Sequence, residues 1–319
     1  MPQAARQSVN RPLNAPTQPR LIVGLGELLF DIIDDQPILG GAPVNFAVQA
    51  HQVLASHGFR GVPAVRLGND SLATEAVNQL SQFGLNTDYI QFDDKLPTGR
   101  ALVHREASGH RFEIVEGVCW DHYTWTETLA NLSKSTAVVC FGTLGQRSPT
   151  SQATIQRFIE NASQALRIFD VNLRQHYHSR EILRHGCNHA DVLKLNQEEL
   201  DIVLSALDIA PTQSAIESCR QILHHTPIQY VVYTQGPLGT TIITHSDVFY
   251  GKPPTLTISQ DSEPADSVGA GDACTAGIVA GLLLSKPLQE TVELANRLGA
   301  YVASKPGATP TLPATLMQQ

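Results

Sequence analysis

The sequence predicts an α/β fold, with a mostly parallel central sheet covered by helices on both faces and a small accessory β-sheet. Two observations carry this. From Leu21 onward, short β-branched or aliphatic runs alternate with longer segments of helical period, the rhythm of parallel α/β sheets. Two extended, half-polar stretches, 32–39 and 99–117, break that rhythm and suit strands that stand outside the main sheet.

The strands of the main sheet are predicted at 21–25, 62–67, 137–141, 167–170, 192–195 and 230–234. Helical stretches lie between them at 44–56, 71–83, 151–166, 197–204 and 213–224, and two further helices, about 271–284 and 288–304, close the chain. In such a sheet, ligands sit at the carboxyl ends of the strands. Within 99–117, Ser108 and Gly109 offer a hairpin turn between Ala101-Leu102-Val103-His104 and Phe112-Glu113-Ile114-Val115. This small sheet suits a lid, a dimer surface or a surface ornament.

Composition bounds the class. With 319 residues the chain can bury a large core, at roughly 100–200 residues per domain. Residues 1–20 carry four prolines among Gln, Asn and Ser, and are expected to be a disordered N-terminal tail. The formal net charge of −8, without a run of Lys or Arg, argues against nucleic acid or an anionic membrane as partner. No window approaches the roughly 20 apolar residues of a membrane span. The five cysteines are odd in number, widely spaced and never Cys-x-x-Cys, so they read as cytosolic thiols, and a cytoplasmic location is expected.

The most informative segment is Asp266-Ser267-Val268-Gly269-Ala270-Gly271-Asp272, at the start of a helix. Small residues there let backbone N–H groups converge on an anion, and the helix dipole favours an ionised Asp272. A carboxylate beside an anion pocket suits a general base, worth about 10²–10⁴-fold. On local grounds alone, a helix cap with turn glycines fits equally well. Upstream, Gly40-Gly41-Ala42-Pro43-Val44-Asn45 opens another helix, with Pro43 at its start and Asn45 one turn in. Paired glycines allow a polyol close to the backbone. Glu27 and Asp31 follow the first strand, and Asp31 is a candidate acceptor for two sugar hydroxyls.

Other signals are weak. Gly24-Leu25-Gly26 begins like a dinucleotide fingerprint, but Leu29 takes the third glycine's place. There is no Gly-x-x-x-x-Gly-Lys loop, no protein-kinase set and no Gly-x-Ser-x-Gly elbow. His185 and His189 stand four apart, a spacing that binds zinc when it lies on one helix face, with His176 and His178 nearby, but no intervening Glu and no clear third ligand accompany them. They read as solvated surface histidines.

Taken together these segments resemble the ribokinase, or PfkB, family of carbohydrate kinases, and within it the fructokinases. The amino-terminal signature resembles Gly40-Gly41-Ala42-Pro43-Val44-Asn45-Phe46-Ala47, and the carboxyl-terminal one the segment from Asp266 to Asp272. Between them, Pro97-Thr98-Gly99, the run from Phe169 to Arg174, the run from Lys194 to Glu199 and the run from Thr234 to Gly239 are also similar. The resemblance implies a ribokinase-like three-layer sandwich with a small β-sheet lid, one kinase domain over 21–313 and a C-terminal tail at 314–319.

The resemblance also implies roles. Asp272 would be the base, with Gly269, Ala270 and Gly271 as the anion hole for the transferred phosphoryl group. Asp31, Gly40, Gly41 and Asn45 would hold the sugar, with Arg174 reaching phosphate or substrate. Lys194, Asn196, Thr234, Gly236, Gly239 and Asn296 would contact ATP. Asn196 and Glu199 would organise Mg2+, through water. Asp266, the Val268 carbonyl and the loop from Lys305 to Ala308 would hold K+. A homodimer through the lid strands is implied as well. Around the lid the chain departs from the fructokinase pattern, reading Gly109-His110-Arg111-Phe112 and then Gly117-Val118-Cys119-Trp120-Asp121-His122. Trp120 and Asp121 therefore suit either closure over the sugar or rim packing. The implied reaction is phosphorylation of fructose at its 6-hydroxyl; ribose, a nucleoside, 2-keto-3-deoxygluconate and a catalytically silent sensor are the alternatives. Arg100, Arg105 and Arg111 are the cations an acid sugar would use.

Overall fold

Each central strand carries apolar side chains on both faces, and such a strand is stable only between two covering layers. The computed structural model describes residues 18–106, 109–254 and 267–317. The first half of the chain forms β1 (Arg20–Leu25), β2 (Leu29–Ile33), β3 (Gln36–Gly40), α1 (Ala42–Leu54), β4 (Phe59–Ala64), β5 (Arg66–Gly68), α2 (Ser71–Gln82), β6 (Gln91–Asp93), β7 (Gly99–Glu106) and β8 (Gly109–Ile114). There follow α3 (Glu127–Ser135), β9 (Thr136–Phe141), α4 (Pro149–Asn161), β10 (Leu166–Asp170), α5 (Arg180–His189), β11 (Val192–Asn196), α6 (Gln197–Ala206), α7 (Ala215–His225) and β12 (Tyr230–Thr234). The chain closes with β13 (Thr240–Ile243), β14 (Val248–Gly251), α8 (Ala270–Leu283) and α9 (Leu288–Ala303).

The main sheet has eight strands in the order β14-β13-β12-β11-β10-β9-β1-β4. Six are parallel; β13 and β14 add on antiparallel at one edge. Successive residues serve opposite layers. Val23, Val139, Phe169, Leu193 and Val231 pack with Ile155, Phe158, Leu183, Val203 and Ile222. Their neighbours Ile22, Val138, Ile168, Val192 and Val232 pack with Phe46, Ala276, Val279 and Leu298. Two buried faces around one sheet make the three-layer sandwich.

The lid is a separate four-stranded sheet, β3-β2-β7-β8. The stretch predicted as one extended segment at 32–39 is instead a hairpin, because Asp34 and Asp35 adopt positive φ and reverse the chain. The predicted 99–117 hairpin is present as β7 and β8, paired from Ala101 with Ile114 to Glu106 with Gly109.

Other boundaries moved for tertiary reasons. The helix predicted to run to 166 stops at Asn161, since Leu166 onward pairs with β9. The strand predicted at 62–67 divides into β4, in the main sheet, and β5, which pairs with β6. Arg20, assigned to the tail, begins β1, and Ala314–Met317 forms a 3-10 turn whose Leu316 packs against the core. The rest of the predicted tail, 1–17, lies outside the described residues. α3, α5, β6 and the β13–β14 edge were not predicted; α3 is marked by its cap, Thr126 accepting the Leu129 amide at 3.2 Å, and α5 by Ser179 accepting the Ile182 amide at 3.2 Å. Among the described residues no helix is long and apolar enough to cross a membrane, and the five cysteines are buried and free.

Candidate active site

The parallel strands deliver their polar residues at one end. Glu27 follows β1, Asp170 ends β10, Asn196 ends β11 and Thr234 ends β12, so all four lie at the carboxyl edge of the sheet. Asp170 and Lys194 are direct partners across β10 and β11. α1 and α8 start at the same edge, and each brings a polar residue from its first turn.

Asn45 of α1 and Asp272 of α8 meet there. Asn45 Nδ2 donates to Asp272 Oδ2 at 2.9 Å, and both side chains are buried. Asp272 stands in the first turn of α8, whose N-cap is Gly269 at φ 76°. A Cβ on Gly269 would lie 2.4 Å from the Ala308 carbonyl oxygen, so only glycine fits both the angle and the space. The same contact seats the loop 305–308 directly against the start of α8. Asp266 lies outside the described residues, so of the predicted cation group only Val268 and this loop are seen together.

A second charged group backs the first. Lys194 Nζ donates to both carboxylate oxygens of Asp170, at 2.8 and 2.9 Å, and Thr275 Oγ1 donates to Asp170 Oδ2 at 2.9 Å. Lys194 reaches Gly271, where an added Cβ would be 3.3 Å from Nζ. Burial works against the Lys194 ammonium, but the Asp170 carboxylate outweighs it and holds the group charged. Burial, and next the Asp170 charge, push Asp272 up to about 6, against the pull of Lys194, Asn45 and Arg174.

Glu27 was not assigned a role from sequence, yet it belongs to this site. Its carboxyl is enclosed, Oε2 has no hydrogen-bond partner among the described residues, and burial raises it to about 7, against the pull of backbone amides and of Arg174. Its signal in the sequence was only its place after the first strand. Arg174, exposed in a segment where Asn172 and Gln175 take positive φ, acts on both Glu27 and Asp272 by charge.

Asp31 lies on β2 beside Gly40, where a Cβ would approach its Oδ2 to 3.0 Å, and Gly41 at φ 107° leaves the start of α1 bare. Arg100 is paired across the lid with Phe30, on the opposite side of the sheet from Asp31, and its charge acts on Asp70 instead. The side chains of Arg105 and Arg111 lie outside the described residues. Trp120 and Asp121 are packing residues: Trp120 is 1% exposed, with the Arg147 guanidinium 3.9 Å over its ring, and both Asp121 oxygens are taken by Arg147 at 2.7 and 2.8 Å.

Along the sheet edge toward β12, Asn196 and Glu199 cap α6 reciprocally. Asn196 Oδ1 accepts from the Glu198 and Glu199 amides, Glu199 Oε2 accepts from the Asn196 amide, and Glu199 Oε1 accepts from the Leu173 amide. Each Glu199 oxygen keeps a lone pair for a water, whereas Asn196 Oδ1 has both of its lone pairs taken by the two amides. Thr234 and the turn through Gly236 and Gly239 come next, with Leu238 exposed. Asn296 of α9 is buried, donates to the Val292 carbonyl at 2.8 Å, and abuts Gly251, so it stands behind this turn and away from Asp272.

A carboxylate over an amide-lined helix start, at the strand ends of a ribokinase-like α/β fold with a β lid, defines a small-molecule phosphotransferase class. The pattern of the pfkB family of carbohydrate kinases matches residues 27–315, and the chain belongs to that family. It is 26% identical to a fructokinase of Escherichia coli, with 91% of this chain and 95% of that protein covered. Among solved structures, a fructokinase with bound ATP from Xylella fastidiosa superposes with a TM-score of 0.77 at 20% identity, covering 93% of this chain and 98% of that one. A fructokinase from Vibrio cholerae in a form with fructose, ADP and calcium bound gives a TM-score of 0.73 at 21% identity, covering 94% and 98%.

Proposed function

We propose that the protein transfers the γ-phosphoryl group of ATP to the 6-hydroxyl of fructose. The buried Asp272 carboxylate, held by Asn45 at the amide-lined start of α8, carries this reading. Asp272 Oδ takes the hydroxyl proton as the sugar oxygen attacks the γ-phosphorus, and the bond from that phosphorus to the β–γ bridging oxygen breaks, with ADP as the leaving group. The backbone amides of Gly269 and Gly271 face the charge that develops on the phosphoryl oxygens, joined by that of Ala270 once it leaves the Ser267 carbonyl to which it donates at 3.3 Å, and the dipole of α8 adds to them. Asn45 fixes the carboxylate's rotamer, and burial raises its affinity for the proton, which favours a base working near neutral pH.

Asp31 and the bare backbone at Gly40 and Gly41 hold the sugar hydroxyls, with the lid excluding water. Arg174 and Lys194 balance the phosphates, while Thr234, Gly236 and Gly239 line the nucleotide and Asn296 backs their turn from α9. Glu199, held in place by Asn196, suits Mg2+ through water, because each of its oxygens accepts one backbone amide and keeps a lone pair. Mg2+ so held would neutralise phosphate charge. The Val268 carbonyl and the loop 305–308, with Asp266, suit K+.

Fructose is favoured over an acid sugar because Arg100 faces away from the pocket toward Asp70. An ATP-consumption assay with fructose, ribose, nucleosides and 2-keto-3-deoxygluconate tests the reading. A kcat/KM for fructose at least tenfold above the others is expected. Preference for another sugar would reassign the substrate, and no stimulation by any of them would favour a sensor.

A further inference from the structure

We propose that Glu160, His185 and His189 form a binding site for a divalent cation of the zinc class, on the side of the sheet away from the reaction site. His185 and His189 lie one turn apart on α5, their rings stacked with centroids 4.1 Å apart and planes 23° from parallel. The third ligand comes from another helix. Glu160, in the last turn of α4, places Oε1 3.1 Å from His185 Nε2. One donor atom from each residue lies within 4.8 Å of the others. Ligands in a tetrahedral zinc site stand about 2.0–2.2 Å from the metal, so a modest turn of the half-exposed Glu160 side chain and the His189 ring closes the set.

The hydrogen bonding prepares His189. His189 Nδ1 lies 2.9 Å from the His185 carbonyl oxygen, which keeps the proton on Nδ1 and leaves the Nε2 lone pair for a cation. His185 Nε2 faces the Glu160 carboxylate, which can only accept, so a cation takes the place of the proton that His185 donates there. Glu181, one turn earlier on α5, adds negative potential at His185. Two imidazoles and a carboxylate select zinc, copper or nickel over magnesium. His185 Nδ1 is buried without a partner, so this ligand lacks the support that His189 has, and the affinity expected is on the order of micromolar.

The position fixes the consequence. α4 and α5 run into β10 and β11, so their carboxyl ends, and this cluster, lie at the amino edge of the sheet, opposite Asp272. A cation here ties α4 to α5 and stabilises the folded chain without touching the phosphoryl chemistry.

Titration of metal-free protein with zinc chloride, without ATP, tests this. Wild type is expected to bind one equivalent at this site and to melt at a higher temperature with zinc. His185→Gln/His189→Gln should lose that equivalent, by at least 100-fold in affinity, and its zinc-dependent melting shift. Glu160→Gln should weaken binding about tenfold. Equal zinc-free melting temperatures and zinc-free kinase rates for wild type and variants show that folding is intact; if the double variant melts early, His189→Gln alone carries the comparison. Binding of undiminished affinity in the variants, or none in wild type, overturns the proposal.

Discussion

Asn45 donates its side-chain amide to Asp272 across 2.9 Å, although 227 residues separate them in the chain. The bond joins the first turns of two helices that start at the same edge of the sheet. It places the carboxylate where the α8 amides converge, and it remains possible with an amide in place of the acid.

Asp272→Asn is therefore expected to keep the fold and nucleotide binding while losing about 10²–10⁴-fold in kcat. Melting temperature and ATP affinity measured beside turnover check this. Turnover near that of wild type would remove Asp272 as the base.

The pH profile follows from the same residue. Burial and Asp170 raise Asp272 to about 6, so the proportion of active base falls as pH drops through that value. An acid limb in kcat/KM near pH 6, absent from the residual activity of Asp272→Asn, is the expected result. A limb near pH 4, the ordinary carboxylate range, would show that the site does not raise this group.

Glu27 carries a stability cost with a definite sign. Its folded pKa of about 7 exceeds its ordinary value of 4.5, so between these values the folded state binds more protons than the unfolded one. Stability from this group is therefore greatest below about pH 4.5 and falls as pH rises through 7. Glu27→Gln should stabilise the protein at pH 8 by on the order of 2 kcal/mol, with the gain shrinking toward pH 4.5. Thermal melts at both pH values check it.

Lys194 and Asp170 form a buried pair, and removing one partner leaves the other charge enclosed. Lys194→Met should cost roughly 3–5 kcal/mol, and Asp170→Asn/Lys194→Met should recover a good part of that. Denaturant unfolding of wild type, the two single variants and the double variant gives the coupling. A double-variant loss equal to the sum of the two single losses would mean that the pair does not act as a unit.

Gly269→Ala places a Cβ 2.4 Å from the Ala308 carbonyl at a positive φ. A loss of about 1–3 kcal/mol and a lower kcat are expected, because the backbone that strains is the one whose amides face the phosphoryl group. Near-normal stability would show that the loop 305–308 can move aside.

The local rules read well where the information is local. The six parallel strands were legible because apolar runs of four to six residues reflect burial on both faces. The glycines and small residues around Asp272 and Gly41 were legible because a positive φ or a bare helix start demands them. α3 was missed because its stripe is only Leu129 and Leu132 within a polar stretch. The β13 and β14 edge was missed because its strands are four residues each and their pairing with β12 is a tertiary fact. Asp121 was ambiguous until Arg147 was found to take both of its oxygens.

The sequence by itself determined the α/β order, the lid strands and which helices open on glycines and small residues, since these follow from periodicity and backbone angles along a few residues. Only the tertiary structure decided which charges meet. It brought Asn45 to Asp272, Thr275 to Asp170 and Glu160 to His185, pairs separated by 227, 105 and 25 residues. It also enclosed Glu27 without a partner for Oε2. Burial and separation in space set electrostatic energies, and neither is a property of neighbouring positions in the chain.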